Sequence, residues 1–309
     1  LYYDPVFLTH DTGDHPENAD RLRAVIDRLQ RNGLTDRCTS VPCRAATIEQ
    51  LQRVHSPELI DVIRRFVEQG GGRIEQDTVV SEHSMDAALT ASGAACDAVG
   101  RVIAGEDTTA LCLVRPPGHH ALHDHPMGFC LFNNIAVAAR SAQHDHGIER
   151  VMIVDWDVHH GNGTQAIFWQ DADVGFLSMH RYPFYPGSGA EDEVGEGAGK
   201  GFTVNLPIRF GTSPADQISR FRSAAEKLAE RLKPQLILTS AGFDSHVLDP
   251  VGSLELESEH FAELTEIVLG ISRTHCGGRV VSLLEGGYNP EALAESVEYH
   301  LRTLLESGE

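Results

Sequence analysis

Val151-Met-Ile-Val-Asp-Trp-Asp-Val-His-His160 is the stretch on which the fold turns. Its first four residues are apolar without alternation, and polar residues begin abruptly at Asp155. A strand with one wet face alternates, whereas a strand covered on both faces reads as a continuous apolar run, so this segment predicts a buried strand of a parallel sheet. Working outward, Ala110 to Val114, Val174 to Leu177, Leu236 to Leu238 and Val280 to Leu284 have the same character. Between them lie one-sided helical patterns with recognisable starts. Leu22, Val25, Ile26 and Leu29 keep a stripe that Gly33 ends, and Ser56-Pro57, Ser213-Pro214 and Asn289-Pro290 each set a capping side chain before a proline at the first helical position. After Ser213, the residues Ile218, Phe221, Ala225, Leu228 and Leu232 return to one face. Strands alternating with such helices predict an α/β architecture. No repeat, low-complexity tract or linker-like stretch interrupts the sequence, so one domain over 1–309 is expected.

Each apolar run gives way to polar or titratable groups: Arg115-Pro-Pro-Gly-His-His120, Asp155-Trp-Asp-Val-His-His160, Ser178-Met-His180, Ser240-Ala-Gly-Phe-Asp244 and Glu285-Gly-Gly-Tyr288. Ligands of open α/β sheets bind beyond the carboxyl ends of the strands, so these groups predict one common site. Asp155, Asp157 and His159 occupy alternate positions and would face one side of an extended segment. A carboxylate there can also cap the backbone that follows it. Asp244, from another strand end, completes two carboxylates and one imidazole with positions left for water and substrate, as a catalytic zinc requires. His119 and His120 follow Pro116, Pro117 and Gly118, a stiff mount suited to a general base. Asp155, the strand-end carboxylate left spare, is placed to orient one of the two histidines. Tyr288, after two glycines and before a helix, is a phenol that can aim at a developing oxyanion, or a packed aromatic with its hydroxyl satisfied.

Composition narrows the classes. The chain is 41% hydrophobic and 23% charged, ordinary for a globular enzyme. A formal charge of −20 argues against sequence-independent nucleic-acid binding, which needs cations along the phosphates, and favours cationic partners or simple solubility. No run approaches the roughly 18 apolar residues of a membrane span; the mildest stretch, 87–104, contains Asp97 and Arg101. Six cysteines without a CxxC pair fit reduced thiols and a cytoplasmic setting, and a start at Leu1 is compatible with a trimmed leader.

His15-Pro-Glu17 with Arg21, Arg115-Pro-Pro-Gly-His-His120, Gly128-Phe-Cys130 with Asn133 and Asn134, Asp155-Trp-Asp-Val-His-His-Gly-Asn-Gly-Thr164, Ala241-Gly-Phe-Asp244 and Leu284-Glu-Gly-Gly-Tyr-Asn289 follow one another in an order that resembles the histone deacetylase superfamily, in its class II-like branch with bacterial amidohydrolase relatives. The resemblance covers most of the chain. It implies an arginase–deacetylase fold with a mainly parallel eight-stranded sheet and helices on both faces, and a zinc ion held by Asp157, His159 and Asp244. It implies that His119 pairs with Asp155, and that His120 is the main proton carrier beside an uncharged partner, Asn162, which leaves it less basic than His119. Phe129 and Tyr185 match the aromatics that flank an acyl-lysine tunnel, and the Gly128 carbonyl matches the acceptor for the substrate amide. A structural potassium ion is implied beneath the zinc, on the carbonyls of Asp155, Asp157, His159 and Met179 and the Ser178 hydroxyl, with a second such site near Phe168, Asp171, Val174 and Phe202.

The implied activity is zinc-dependent removal of acetyl or longer acyl groups from the ε-amine of lysine in proteins or peptides. Two neighbouring readings stay open. An acetylpolyamine amidohydrolase gains from the acidic charge, but polyamine-selective relatives carry Glu where Asp249-Pro-Val-Gly252 has Val251. A non-hydrolytic acetyl-lysine binding module is disfavoured by Tyr288. An arginase-like binuclear manganese site would need more bridging carboxylates than the sequence offers. Asp11, Asp77 and Asp124 are candidate rim contacts. Neither nucleic acid nor a membrane is an expected partner, and the oligomeric state stays open.

Overall fold

The computed structural model describes residues 1–306. The chain opens with α1 (Asp20–Arg31), α2 (Ile48–Gln52) and α3 (Pro57–Glu68), then makes a short hairpin of β1 (Gly72–Arg73) and β2 (Val79–Val80). From there helices and strands alternate: α4 (Ser84–Ala104), β3 (Thr109–Cys112), α5 (Asn134–His146), β4 (Val151–Asp155), α6 (Asn162–Ile167), β5 (Val174–Arg181) and β6 (Thr203–Ile208), then α7 (Pro214–Leu232), β7 (Leu236–Ala241), α8 (Ser258–His275), β8 (Val280–Leu284) and α9 (Pro290–Glu306).

Six strands form one parallel sheet in the order β3-β8-β7-β4-β5-β6. Helices α4 and α5 lie on one face and α7, α8 and α9 on the other, with α1 packed on α9. Every residue of β4, β7 and β8 is therefore buried, which is why those segments read as unbroken apolar runs. The strand β4 sits in the middle, and its last residue, Asp155, is in register with Ser240 of β7 on one side and Ser178 of β5 on the other. The turn after β4 thus opens at the centre of the sheet edge. No helix among the described residues is long and apolar enough to cross a membrane.

The strand count corrects one expectation. Instead of eight strands, the sheet has six, and beyond β3 it continues only as single-residue rungs in which Tyr2 bridges Cys112 and Val41 bridges Tyr2. Tyr2 donates to the Leu111 carbonyl (2.9 Å) and accepts from the Leu113 N–H (2.9 Å). Pro5 and Pro42 follow closely and bring no N–H, so neither segment extends its ladder into a strand. The apolar-run criterion also passed over β6. Thr203-Val-Asn-Leu-Pro-Ile208 mixes buried with half-buried positions and carries Pro207, as an edge strand can.

A buried ion cluster ties the N-terminal segment to the strand ends. Glu17 accepts from Arg115 Nε (2.5 Å) and Nη2 (2.8 Å) and from Arg21 Nη1 (2.9 Å), and all three side chains are buried. Arg21 also donates to the carbonyls of Gly287 and Glu285, each at 2.5 Å, while Arg115 donates to the carbonyls of Phe7 (2.8 Å) and His10 (3.1 Å). Burial alone pushes the Glu17 carboxyl up, but Arg115 and then Arg21 hold it far below the usual carboxylate range. Removing one member leaves the others charged and unpaired, so Glu17→Ala should cost about 3–5 kcal/mol at neutral pH in chemical denaturation. The folded pKa lies below the unfolded value of about 4.3. The stabilisation is therefore complete above that value and is lost as pH falls through the folded one. The gap between wild type and variant should shrink on acidification; a gap independent of pH would show that Glu17 is not ionised in the fold.

Candidate active site

After Asp155 the chain leaves the extended conformation and folds through two successive Asx turns. Asp155 Oδ1 accepts the Asp157 N–H (3.1 Å), and Asp157 Oδ1 accepts the His159 N–H (2.9 Å). The backbone-capping role of these carboxylates thus coexists with a ligand role. Asp157, His159 and Asp244 are all buried and offer donor atoms within 4.8 Å of one another. His159 Nδ1 lies 3.0 Å from Asp157 Oδ1 and 3.0 Å from Asp244 Oδ2. One ring nitrogen carries at most one hydrogen, and its bond goes to Asp157. Asp244 Oδ1 accepts the Val158 N–H (2.8 Å), whereas its Oδ2 is buried without a hydrogen-bond partner.

The electrostatics around this trio call for a cation. Burial alone would lower His159, yet Asp157 and Asp244 hold it up at about 9. Burial and the neighbouring charge of Asp157 push Asp244 upward. The two carboxylates thus draw positive charge to the point where the donors meet. Two carboxylate oxygens, one of them orphaned, and one imidazole fit a divalent metal of the zinc type, which needs deprotonated ligands and offsets the cost of the buried acids. The floor is backbone: Gly286 donates to Asp157 Oδ2 (2.8 Å), and any side chain at Gly286 would collide with Asp157 Oδ2 and Asp244 Oδ2.

His119 and His120 stand beside the trio with rings 4.0 Å apart. His119 Nδ1 meets Asp155 Oδ2 at 2.9 Å, and His120 Nδ1 meets Asn162 Oδ1 at 2.6 Å. Their turn is pinned by Glu285, whose Oε2 accepts the N–H groups of Gly118 (2.7 Å) and His119 (3.2 Å) and whose Oε1 accepts the Ser240 hydroxyl (3.0 Å). Burial lowers both histidines, but the charges of Asp155 and Asp157 overcome it at His119 and hold that ring well above the ordinary value. At His120 burial dominates, the positive charges of His119 and His159 add to it, and the Asn162 hydrogen bond offsets only part; the ring is well below the ordinary value. Because an amide oxygen can only accept, His120 Nδ1 carries the hydrogen and Nε2 keeps a free lone pair.

Tyr288 completes the wall. Its ring is edge-on to Phe129 (5.7 Å) and lies under the Arg21 guanidinium (5.0 Å). Burial, then the Asp244 charge, pushes its phenol well above the ordinary value, so it stays protonated as a donor. Phe129 adopts φ 70°, and Thr78 and Asp77 hold it there: Thr78 Oγ1 accepts the Phe129 N–H (3.1 Å) and Asp77 Oδ1 the Gly128 N–H (3.1 Å). Tyr185, partly exposed, sets its ring edge-on to His120 (5.3 Å) and His159 (5.9 Å). Ser178 and Met179 are buried in β5, and the Ser178 hydroxyl is 3.0 Å from His180 Nδ1. Of the rim candidates, Asp77 is engaged by the Gly128 turn, Asp11 Oδ1 accepts the Gly13 N–H (2.9 Å), and Asp124 stands exposed.

The roles of three groups at the site escape sequence reasoning. Phe184 stacks on His159 at 5.3 Å with an 18° interplanar angle, and no spacing rule singles it out. The Glu285 carboxylate serves the histidine turn, for which the only signal is its place at a strand end. Asp249 binds the Tyr288 backbone and sits in a loop with no periodicity.

A buried trio of two carboxylates and an imidazole that could hold a metal, a neutral histidine with a free nitrogen and a protonated phenol, all at the carboxyl ends of parallel strands, are the parts of a hydrolase-type centre. The histone deacetylase domain matches residues 15–304, and the chain belongs to that family. It is 41% identical over 322 residues to the Homo sapiens polyamine deacetylase HDAC10, covering 99% of this chain and 47% of that protein. It is 37% identical over 322 residues to the chloroplastic histone deacetylase 14 of Arabidopsis thaliana, covering 99% and 76%. The crystal structure of the HDA15 HD domain matches with a TM-score of 0.93 at 38% identity, over 98% of this chain and 90% of that one. The parallel sheet with helices on both faces is thus the arginase–deacetylase fold. The chain spans about half the length of HDAC10.

Proposed function

We propose that this domain is a zinc-dependent deacetylase that hydrolyses the amide between an acetyl group and the ε-amine of lysine in a protein or peptide. The carrying observation is that the Asp157–His159–Asp244 trio stands beside His120, whose ring is 5.8 Å from that of His159, with Tyr185 edge-on to His120 and Phe129 edge-on to Tyr288. Phe129 and Tyr185 offer apolar faces to the aliphatic stem of the side chain, and the Gly128 carbonyl is the acceptor for its amide N–H. Held by the trio, zinc supplies Lewis-acid polarisation and a more acidic water. His120 Nε2, with its lone pair free, takes the proton of the attacking water and returns it to the departing amine. The Tyr288 hydroxyl donates to the oxygen on which negative charge develops. His119, fixed by Asp155, contributes orientation and positive charge. A potassium ion on the carbonyls around β4 and β5, with the Ser178 hydroxyl, belongs to the same proposal, as does a cytoplasmic setting, which six free cysteines support.

Acetylated polyamines are the second reading, favoured by the 41% identity to a polyamine deacetylase and by the charge of −20. Parallel turnover of an acetyl-lysine peptide, acetylspermidine and a longer-acyl peptide separates the two. The expected order places the acetyl-lysine peptide first. Acetylspermidine turned over more than tenfold faster would transfer the assignment to polyamines, and peptide binding without acetate release by the zinc-loaded protein would end the enzymatic reading.

A further inference from the structure

The loop that follows the metal-ligand candidate Asp244 is closed on itself and on Tyr288 by one side chain. Asp249 is 9% exposed. Its Oδ1 accepts the N–H groups of Val251 and Gly252, both at 2.9 Å, and its Oδ2 accepts the Tyr288 N–H at 2.6 Å. Gly252 is packed so tightly that a side chain there would collide with the Asp244 carbonyl and with Val158. Ser253 donates to the same Asp244 carbonyl (2.7 Å), so the loop returns to the residue from which it left. On the other side, Tyr288 follows Gly286 and Gly287, and Gly287 has φ 127°, a conformation essentially reserved for glycine. Arg21 Nε holds the carbonyl of the Gly287–Tyr288 peptide at 2.5 Å, and the N–H of the same peptide goes to Asp249.

We propose, on the reading of Tyr288 as the oxyanion donor, that Asp249, which grips the N–H side of the peptide whose carbonyl side Arg21 holds, is a positioning residue for its aim. Three N–H donors from two different strand-end loops converge on one carboxylate. A carboxyl group offers an acceptor at both oxygens, whereas an amide would set an NH2 against one of those N–H groups. A second tie, from Asn289 Nδ2 to the Leu248 carbonyl (3.0 Å), runs alongside but holds the residue after Tyr288 rather than Tyr288 itself. Asp249 makes no hydrogen bond to Asp157, His159 or Asp244, although its charge is felt at Asp244, which is why zinc content is read alongside the rate. It acts through the direction of the phenol, and a displacement of about 1 Å at a reacting group costs up to about 10²-fold in rate.

The test uses the zinc-loaded full chain and the variants Asp249→Asn, Tyr288→Phe and their combination. For an acetyl-lysine peptide, Asp249→Asn should lower kcat by roughly 10- to 100-fold, leave KM within about threefold and keep zinc content at the wild-type level. In the Tyr288→Phe background the same substitution should cost no more than about twofold, because the group it positions has gone. Losses that multiply in the combined variant overturn the proposal. Amide hydrogen exchange over 286–289 reads the same point without turnover: Asp249→Asn should accelerate it while leaving 155–160 protected, and wild-type protection at 286–289 overturns the proposal. If the wild type releases no acetate yet exchange accelerates as expected, the deacetylase reading falls and the positioning role stands. Should Asp249→Asn not fold, Asp249→Ser is carried through both measurements with the same two outcomes.

Discussion

Asp157→Ala is expected to abolish stoichiometric metal binding and to lower deacetylation of an acetyl-lysine peptide by about three orders of magnitude or more. Asp157 is buried and central: Oδ1 faces His159 Nδ1 at 3.0 Å, and Oδ2 accepts the Gly286 N–H at 2.8 Å. Its neighbours hold its carboxyl far below the usual range, with His119 and His159 overcoming the effect of burial, so it is a full anion at neutral pH. A Lewis-acid cation stabilises developing charge by several kcal/mol. At about 1.36 kcal/mol per factor of ten, losing it removes on the order of 10³ in rate. Elemental analysis after dialysis reads the metal, and acetate release reads the rate. Asp157→Asn keeps the shape of the side chain without its charge and should also lose the ion, which separates ligand loss from collapse of the turn. A variant that loses activity while retaining one zinc per chain would remove Asp157 from the ligand set.

The second large effect is expected from Tyr288→Phe, which should reduce kcat by roughly 10²-fold or more, the usual cost of deleting one oxyanion donor. KM should change little, because the hydroxyl is needed where charge develops and not in the ground state. Phenylalanine preserves the edge-on contact with Phe129 and the cover of Arg21, so loss of packing would not explain the result. Measuring kcat and KM separately, with zinc content alongside, decides it. Near-normal turnover would take Tyr288 out of the chemistry and leave it a packed aromatic.

Strands buried on both faces were legible because burial leaves a direct trace in composition. The runs at 151–154 and 280–284 became β4 and β8, and the polar residues after them lie at the sheet edge. Edge elements were not legible in this way. In β6 half the side chains meet solvent and Pro207 interrupts the pattern, while β1 and β2 are two residues each, too short for any period. The eight-strand expectation came from the family resemblance and overcounted the sheet, because beyond β3 the described residues add one-residue rungs at Tyr2 and Val41 and no further strand.

At the site, residue types and order suggested a ligand trio and two histidines, and the fold brings them together. The contacts between three-dimensional neighbours were invisible: Phe184 stacking on His159, the Glu285 carboxylate, itself read as a strand-end group, under the Gly118–His119 turn, and Asp249 beneath the Tyr288 peptide. Each acts on a residue that is distant in sequence or joined to it by an irregular turn. One mismatch between pattern and structure is instructive. Alternate spacing at Asp155, Asp157 and His159 suggested a continuing strand, whereas two Asx turns set the convergence.

The contact between Arg21 and the carbonyl of Gly287 spans 266 positions of sequence. During synthesis, α1 leaves the ribosome long before the segment that carries Tyr288 exists. Glu17 and Arg115 can meet early, but two of the three hydrogen bonds of Arg21 have no counterpart until β8 and the turn after it have emerged and docked. The guanidinium of α1 thus stays part-paired until the turn after β8 docks, so closing the buried ion cluster couples the N-terminal segment to that turn.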